Sequence, residues 1–323
     1  MSQSVPAFGA EWVEQRLAKL LPEFPRRSLC VAFSGGLDST TLLAALAVRK
    51  HTQTQLRAVH INHGLYPNAR EWSAHCRAFA ASLDVPLKVV AIKVSQAPGT
   101  SLEAEARKAR YEVFARELAD DEVLLTAQHE DDQLETVLLQ LFRGAGLAGL
   151  AAMPEITRFE GGWLARPLLP VSRASLESWA RERKLPWIED ESNADERFDR
   201  NYLRRQLLPS IKARWPGAGR AVSRSARHAA EAQRLLNALA LADVEGAAVG
   251  ESLSVKALRA LSADRRRNAL RFWIAQHGVQ APNTSRLEEL AGPVLDARAE
   301  ASPQVAWNGV VVQRRADLLW LKK

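Results

Sequence analysis

Cysteine is almost missing from this chain: Cys30 and Cys76 are its two thiols among 323 residues. Two thiols cannot build a disulfide framework or a structural zinc cluster. Cys30 falls inside an apolar, strand-like run and Cys76 has no cysteine near it, which argues against sulfur chemistry through paired cysteines or a cysteine-held iron–sulfur cluster. No uninterrupted apolar run reaches membrane-span length, so no membrane association is expected. Met1 to Arg27 lacks a basic segment followed by an apolar core, so no secretory signal is expected and the cytoplasm is the expected compartment. The phosphate loop G-x-x-x-x-G-K-[ST] occurs nowhere. Internal repeats and low-complexity segments are also missing.

What is present suits a globular protein: 47% hydrophobic and 25% charged residues. Lys and Arg exceed Asp and Glu by 44 − 37 = 7, and the sequence pI is about 9.7. That balance favours a polyanionic partner. The length suits two domains, and the break at Trp215-Pro216-Gly217 divides them into 1–215 and 216–323. In the first, strand-like runs at Leu29–Phe33, Leu56–Ile61, Leu87–Val90 and Val123–Thr126 alternate with helix-like runs at Ser39–Val48, Arg70–Leu83, Leu102–Ala119 and Asp131–Phe142. Thr100-Ser101-Leu102-Glu103 has the spacing of a capping box. Gly144 to Gly162 reads as irregular, Trp163-Leu164 as strand and Arg173–Arg183 as helix. The pattern predicts an α/β fold, a parallel sheet with helices on both faces. The second domain is expected to be smaller and mainly helical, with helices over Ala221–Ala242 and Asp264–His277. Leu235, Leu236 and Leu239 lie on an apolar stripe of the first. Short strands are expected around Asn308-Gly309 and Ala316-Asp317.

The chemistry concentrates at strand ends. Ser34-Gly35-Gly36-Leu37-Asp38-Ser39 follows the first strand and opens a helix, which gathers backbone N–H groups and a helix N-terminus around one point, an anion site. Ser34 and Ser39 offer hydroxyls, and Asp38 offers a carboxylate for a divalent cation beside phosphates. Gln128-His129-Glu130-Asp131-Asp132-Gln133-Leu134-Glu135 opens another helix after a strand, with Asp132 and Glu135 on one face. Those acids suit a metal or a substrate amine, or only the helix dipole. Gly144-Ala145-Gly146-Leu147-Ala148-Gly149 satisfies the dinucleotide pattern G-x-G-x-x-G, but a helix rather than a strand precedes it, so it reads as a loop. His60 and His63 lack a third and fourth ligand partner, which argues against zinc.

Ser34 to Ser39 resembles the pyrophosphate loop of the N-type ATP pyrophosphatases. Leu124 to Met153 is similar to a segment of the bacterial tRNA(Ile)-lysidine synthases. In order along the chain, His60-Ile61-Asn62-His63-Gly64-Leu65, Ala106-Arg107-Lys108-Ala109-Arg110-Tyr111, Arg166-Pro167-Leu168-Leu169, Asp190-Glu191-Ser192-Asn193 and Arg200-Asn201-Tyr202-Leu203-Arg204 fit further elements of that family. Gln128, Tyr66 and Ala152 depart from its pattern, which weakens a histidine pair but leaves Asp38, Asp132 and Glu135 in place.

The resemblance implies an adenine nucleotide alpha-hydrolase-like PP-loop domain and a C-terminal tRNA-binding domain. It implies ATP as co-substrate, Mg²⁺ held by Asp38, and as partners free L-lysine and tRNA(Ile) with a CAU anticodon. ATP adenylates the wobble cytidine, and lysine then displaces AMP to make lysidine, changing decoding from AUG to AUA and identity from methionine to isoleucine. Ser34, Gly35, Gly36, Leu37, Asp38 and Ser39, with His60, His63, Arg107 and Arg110, are expected at ATP and pyrophosphate. Asp132 and Glu135 are expected at lysine, and His129 at the reacting nucleotides or as a helix cap. Arg143, Arg200, Arg204, Arg205, Arg224, Arg227 and Arg266 are candidate tRNA contacts, with surface salt bridges as the plainer alternative. Some family members carry a further C-terminal domain, and this chain is expected to stop before it or to be cut short there. A tRNA thiolase or a small-metabolite amide ligase of the same superfamily is the competing enzyme reading, and a non-catalytic tRNA-binding protein the competing class. The sequence leaves the oligomeric state open, a homodimer included.

Overall fold

The computed structural model describes residues 7–48, 55–64, 68–92, 102–189, 195–298 and 300–323. The chain forms two compact units, Met1–Arg227 and His228–Lys323. The first runs α1 (Ala10–Leu20), β1 (Leu29–Ala32), α2 (Leu37–Val48), β2 (Leu56–Asn62), α3 (Ala69–Ser82), β3 (Leu87–Ala91), α4 (Leu102–Glu117), β4 (Val123–Leu125) and α5 (Glu130–Phe142). It continues through α6 (Leu147–Leu150), β5 (Ile156–Phe159), β6 (Gly162–Ala165), α7 (Arg173–Glu182), α8 (Asp199–Tyr202) and α9 (Leu208–Arg214) into α10 (Ala218–Ala247). The division between the units falls inside α10, beyond the Pro-Gly turn.

Six strands form one sheet in the order β3-β2-β1-β4-β6-β5. Pairing is parallel except at the edge, where β5 runs antiparallel to β6. The irregular reading of Gly144 to Gly162 is corrected: that segment holds α6 and β5, and β5 forms the hairpin with β6. Side chains alternate across the sheet. Leu29 and Val31 join one apolar cluster with Leu17, Leu42, Leu43 and Leu176, while Cys30 joins another with Phe114, Leu124 and Leu164. Helix α2 is buried from Ser39 through Leu46, which is why it reads as a continuous apolar run rather than an amphipathic stripe. Helix α1 escapes the strand–helix alternation, yet its buried Val13 and Leu17 have plain helical spacing. The candidate cap at Thr100-Ser101, the residues Leu65 and Tyr66, and the segment Asp190 to Asn193 lie outside the described residues.

The end of the sheet away from the strands' carboxyl termini is held by charge. Arg57 Nε–H donates to Oε1 of Glu122 at 2.7 Å and Nη2–H to Oε2 at 2.5 Å, and Ala119 N–H reaches the same carboxylate at 3.0 Å. Glu122 is buried. Glu122→Ala leaves the guanidinium without its anion and is expected to cost about 3 kcal/mol, read as a lower midpoint in urea or thermal unfolding.

The second unit pairs its strands in the order β7-β8-β11-β10-β9: β7 (Ala248–Val249), β8 (Ser252–Ser254), β9 (Gln304–Trp307), β10 (Val310–Arg315) and β11 (Leu318–Lys322). Helices α11 (Val255–Ala260), α12 (Ala263–Gln276) and α13 (Thr284–Glu289) supply the rest. The short strands expected around Asn308-Gly309 and Ala316-Asp317 are β9, β10 and β11, and Asn308 and Gly309 both take positive φ, the geometry that an Asn-Gly hairpin favours. The unit is mainly helical with short antiparallel strands, as expected. On α10, Leu235 and Leu239 of the expected apolar stripe are exposed.

Candidate active site

In an open parallel sheet the ligand crevice lies beyond the carboxyl ends of the strands, where the strand order reverses. That point is the junction of the neighbours β1 and β4. From β1 the chain enters Ser34-Gly35-Gly36 and α2; from β4 it enters α5. Gly35 takes φ +83°. A Cβ there would lie 2.7 Å from Sγ of Cys76 and 2.8 Å from Nε1 of Trp72, so glycine is needed both for conformation and for room. Trp72 Nε1–H donates to the Ser34 carbonyl at 2.6 Å, and Ile188 N–H to the Gly35 carbonyl at 2.9 Å. Neither residue carries a signal in the sequence that would assign it to this turn.

Both serine hydroxyls bond within the turn. Ser34 Oγ accepts the Gly36 N–H at 3.3 Å and lies 3.0 Å from Ser39 Oγ. Ser39 Oγ accepts the Ser34 N–H at 3.2 Å and donates to the Gly36 carbonyl at 3.2 Å. The hydroxyls therefore brace the turn, and Leu37 is buried, so this residue can offer an anion only its backbone.

Asp38, one residue into α2, meets α5. His129 is the N-cap of α5: its Nδ1 accepts the Asp131 N–H at 3.2 Å, and its own N–H donates to Oδ2 of Asp132 at 3.0 Å, a capping box. Accepting that bond fixes the lone pair on Nδ1, so in the neutral ring the proton is on Nε2. Nε2 faces Oδ2 of Asp38 at 3.5 Å and Oδ2 of Asp132 at 3.4 Å. His129 is 1% exposed. Burial opposes its protonation, but the carboxylates of Asp132 and Asp38 outweigh burial and raise its pKa. Burial likewise works against ionised Asp38, while the bond and charge from His129 hold its carboxyl below the usual range. Oδ1 of Asp38 is buried without a hydrogen-bond partner.

His129 is thus the helix cap, with its Nε2 turned to the carboxylates of Asp38 and Asp132. Asp132 and Glu135 share a face of α5, as expected, and their partner is Arg204, which bonds both. Burial raises the pKa of Glu135 while Arg204 pulls it down. Arg200 Nη2–H donates to Thr136 Oγ1 at 2.9 Å, and its Nε lies 3.8 Å from Oε2 of Glu135. Lys212 Nζ meets Oδ2 of Asp131 at 2.5 Å. Gln133 pins the Gly-rich segment onto α5 by two 3.1 Å bonds to the Met153 backbone.

The remaining candidates scatter. His60 Nδ1–H donates to the Phe33 carbonyl at 2.9 Å, and burial lowers the His60 pKa, so the ring ties β2 to the end of β1 as a neutral group. His63 Nε2 lies 3.3 Å from Arg110 Nη2, and burial, with Arg110 beside it, pushes its pKa down to about 4. Arg107 lies over the Tyr111 ring. Arg143 lies 3.8 Å from Asp199, and Arg205 lies 3.3 Å from Glu196. Arg266, expected at tRNA, gives its guanidinium to the carbonyls of Leu261, Arg259 and Ala291 in the second unit. Arg220, Arg224 and Arg227 are exposed at the start of α10, after Trp215, which is 59% exposed with Arg214 over its ring.

A model of the PP-loop domain matches residues 10–211, and a model described as the TilS substrate binding domain matches residues 253–320. A tRNA(Ile)-lysidine synthase of Coxiella burnetii is 42% identical over 97% of this chain and 70% of its own length. Another, from Enterobacter sp. (strain 638), is 45% identical over 93% of this chain and 71% of its length. A third, from Pseudomonas putida, is 45% identical over 90% and 70%. Among solved structures, the U34-tRNA thiolase NcsA of Methanococcus maripaludis superposes with a TM-score of 0.57 at 15% identity, covering 68% of this chain and 77% of that one. That likeness concerns the fold alone.

Proposed function

The chain belongs to the tRNA(Ile)-lysidine synthase family, and from that premise we propose how its residues divide the reaction between them. The enzyme uses ATP to activate the wobble cytidine of tRNA(Ile) and joins lysine to it. The C2 oxygen of cytosine attacks the α-phosphorus, pyrophosphate leaves, the lysine ε-amine adds at C2 and AMP departs.

The observation that carries the assignment is the meeting of Asp38, His129, Asp132 and Glu135 in the crevice between β1 and β4. The start of α2 and the Ser34-Gly35-Gly36 turn bind the departing pyrophosphate. Asp38 suits Mg²⁺, because its buried Oδ1 has no partner. Among the described residues no group of three or more His, Cys, Asp or Glu could hold a metal by itself. Phosphate oxygens and water would therefore complete the shell, as Mg²⁺ commonly requires. When bound there, the ion neutralises charge growing on the leaving group. His129 orients Asp38 and Asp132 through Nε2–H. Asp132 and Glu135 bind the lysine ammonium, and Glu135, whose burial favours its protonated form, takes the proton that the amine must lose before it attacks. Arg220, Arg224 and Arg227 contact tRNA phosphates, giving a salt-dependent affinity.

Sulfur transfer on the same fold is disfavoured by the thiols. Cys30 and Cys76 are both buried, and burial pushes each up to about 12, so neither is a ready thiolate. The division of labour is tested with labelled ATP. Pyrophosphate release should require tRNA, and rapid AMP release should require lysine as well. AMP release without any RNA would point instead to a small-metabolite ligase.

A further inference from the structure

The cation on the acidic pair belongs to the protein. Arg204 Nε–H donates to Oε1 of Glu135 at 2.8 Å, and Nη2–H donates to Oε2 at 2.9 Å and to Oδ1 of Asp132 at 3.1 Å. Glu135 is 0% exposed, whereas 34% of the Arg204 side chain faces solvent. The guanidinium covers the buried carboxylate on its outer side and already uses both of its oxygens. An ammonium reaches Glu135 by this face only after the guanidinium has left.

We propose that Arg204 is an internal occupant of the lysine-ammonium site, which substrate lysine displaces on binding; the proposal rests on the assignment of Asp132 and Glu135 to lysine made above. A buried carboxylate left empty is costly, so a resident cation keeps Glu135 ionised and the pocket shaped while lysine is absent. The same occupant makes every other amine compete for entry. In the terms of a two-state equilibrium, the binding-competent form is the minor one, and apparent affinity falls by its fraction.

The backbone around Arg204 suits such a release. Leu203–Leu207 is a π turn between α8 and α9. It holds one residue more than an α turn, and passing that residue along the helix rotates a side chain by about 100°. Arg204 can thus leave the pair without unfolding the segment. Arg200, anchored on Thr136, keeps a positive charge beside Glu135 meanwhile.

The test measures binding of radiolabelled L-lysine by equilibrium dialysis, without ATP or tRNA, for the wild type, Arg204→Gln and Arg204→Lys. Arg204→Gln should bind lysine about tenfold more tightly, whereas Arg204→Lys, which keeps a competing cation, should stay within about threefold of wild type. Equal or weaker binding by Arg204→Gln, with the fold intact by circular dichroism, overturns the proposal and leaves Arg204 a structural partner of α5. Should that variant fail to fold, the wild type decides the matter through the arginine Nε–H resonance of Arg204. Saturating lysine should shift it; saturation without a shift overturns the proposal. Failure here is distinct from failure of the assignment of Asp132 and Glu135 to lysine, since in the latter Glu135→Gln leaves lysine affinity unchanged.

Discussion

Asp38→Asn is expected to slow pyrophosphate release by about 10²–10³-fold, the loss typical when one preorganised electrostatic contact to a developing charge is removed. Asn keeps the size of the side chain and an oxygen for His129 Nε2–H, so packing against α5 should survive. What it lacks is the negative charge on the buried, unpartnered Oδ1. Rapid quench with labelled ATP and tRNA, without lysine, isolates the adenylation step. The thermal unfolding midpoint should fall modestly, because the bond and charge from His129 outweigh burial and hold the Asp38 carboxyl below the usual range, so that its ionised form stabilises the fold. A variant that releases pyrophosphate at the parental rate would remove Asp38 from the reaction.

Glu135→Gln should strike the other half of the reaction. A hydrogen bond to a charged group is worth about 1.5–3 kcal/mol, or roughly 10–100-fold in affinity for the lysine ammonium. The same substitution also loosens Arg204, which bonds that carboxylate twice, so part of the loss is returned. The apparent affinity for lysine should therefore fall about tenfold in the wild-type background and about a hundredfold beside Arg204→Gln, a coupling that a double-mutant cycle reads directly. Adenylation without lysine should change far less. If instead lysine affinity is unchanged and adenylation collapses, Glu135 serves only to aim Arg204.

The two turns that form the candidate site were legible in the sequence because their signals are local. A strand of four residues, a turn with two glycines and an apolar helix can be read in order, and His129 to Glu135 declares a helix start through its own capping pattern. That β1 and β4 are neighbours is seen only in the structure. What the sequence hid depends on contacts far apart in the chain. Arg204 sits among basic residues and reads there as an RNA contact, yet it lies on acids 69 and 72 positions earlier. A cationic partner could have been suspected, since a buried acid such as Glu135 needs compensation, but no spacing rule names which cation supplies it. Trp72 and Ile188 brace the glycine turn from distant segments, and Arg266 turns from a surface candidate into a cap of backbone carbonyls, again through folding alone. The β5–β6 hairpin was missed because four-residue strands among glycines carry little periodicity.

The central claim is that this crevice joins lysine to an adenylated cytidine. It is tested most directly by incubating the protein with ATP, Mg²⁺, isotopically labelled lysine and tRNA(Ile) bearing a CAU anticodon, then digesting the RNA and weighing its nucleosides. The expected product is a cytidine heavier by one labelled lysine less a water, found only at the wobble position and formed about 10²–10³-fold more slowly when Asp38→Asn replaces the wild type. Unmodified cytidine after ATP has been consumed would contradict the account.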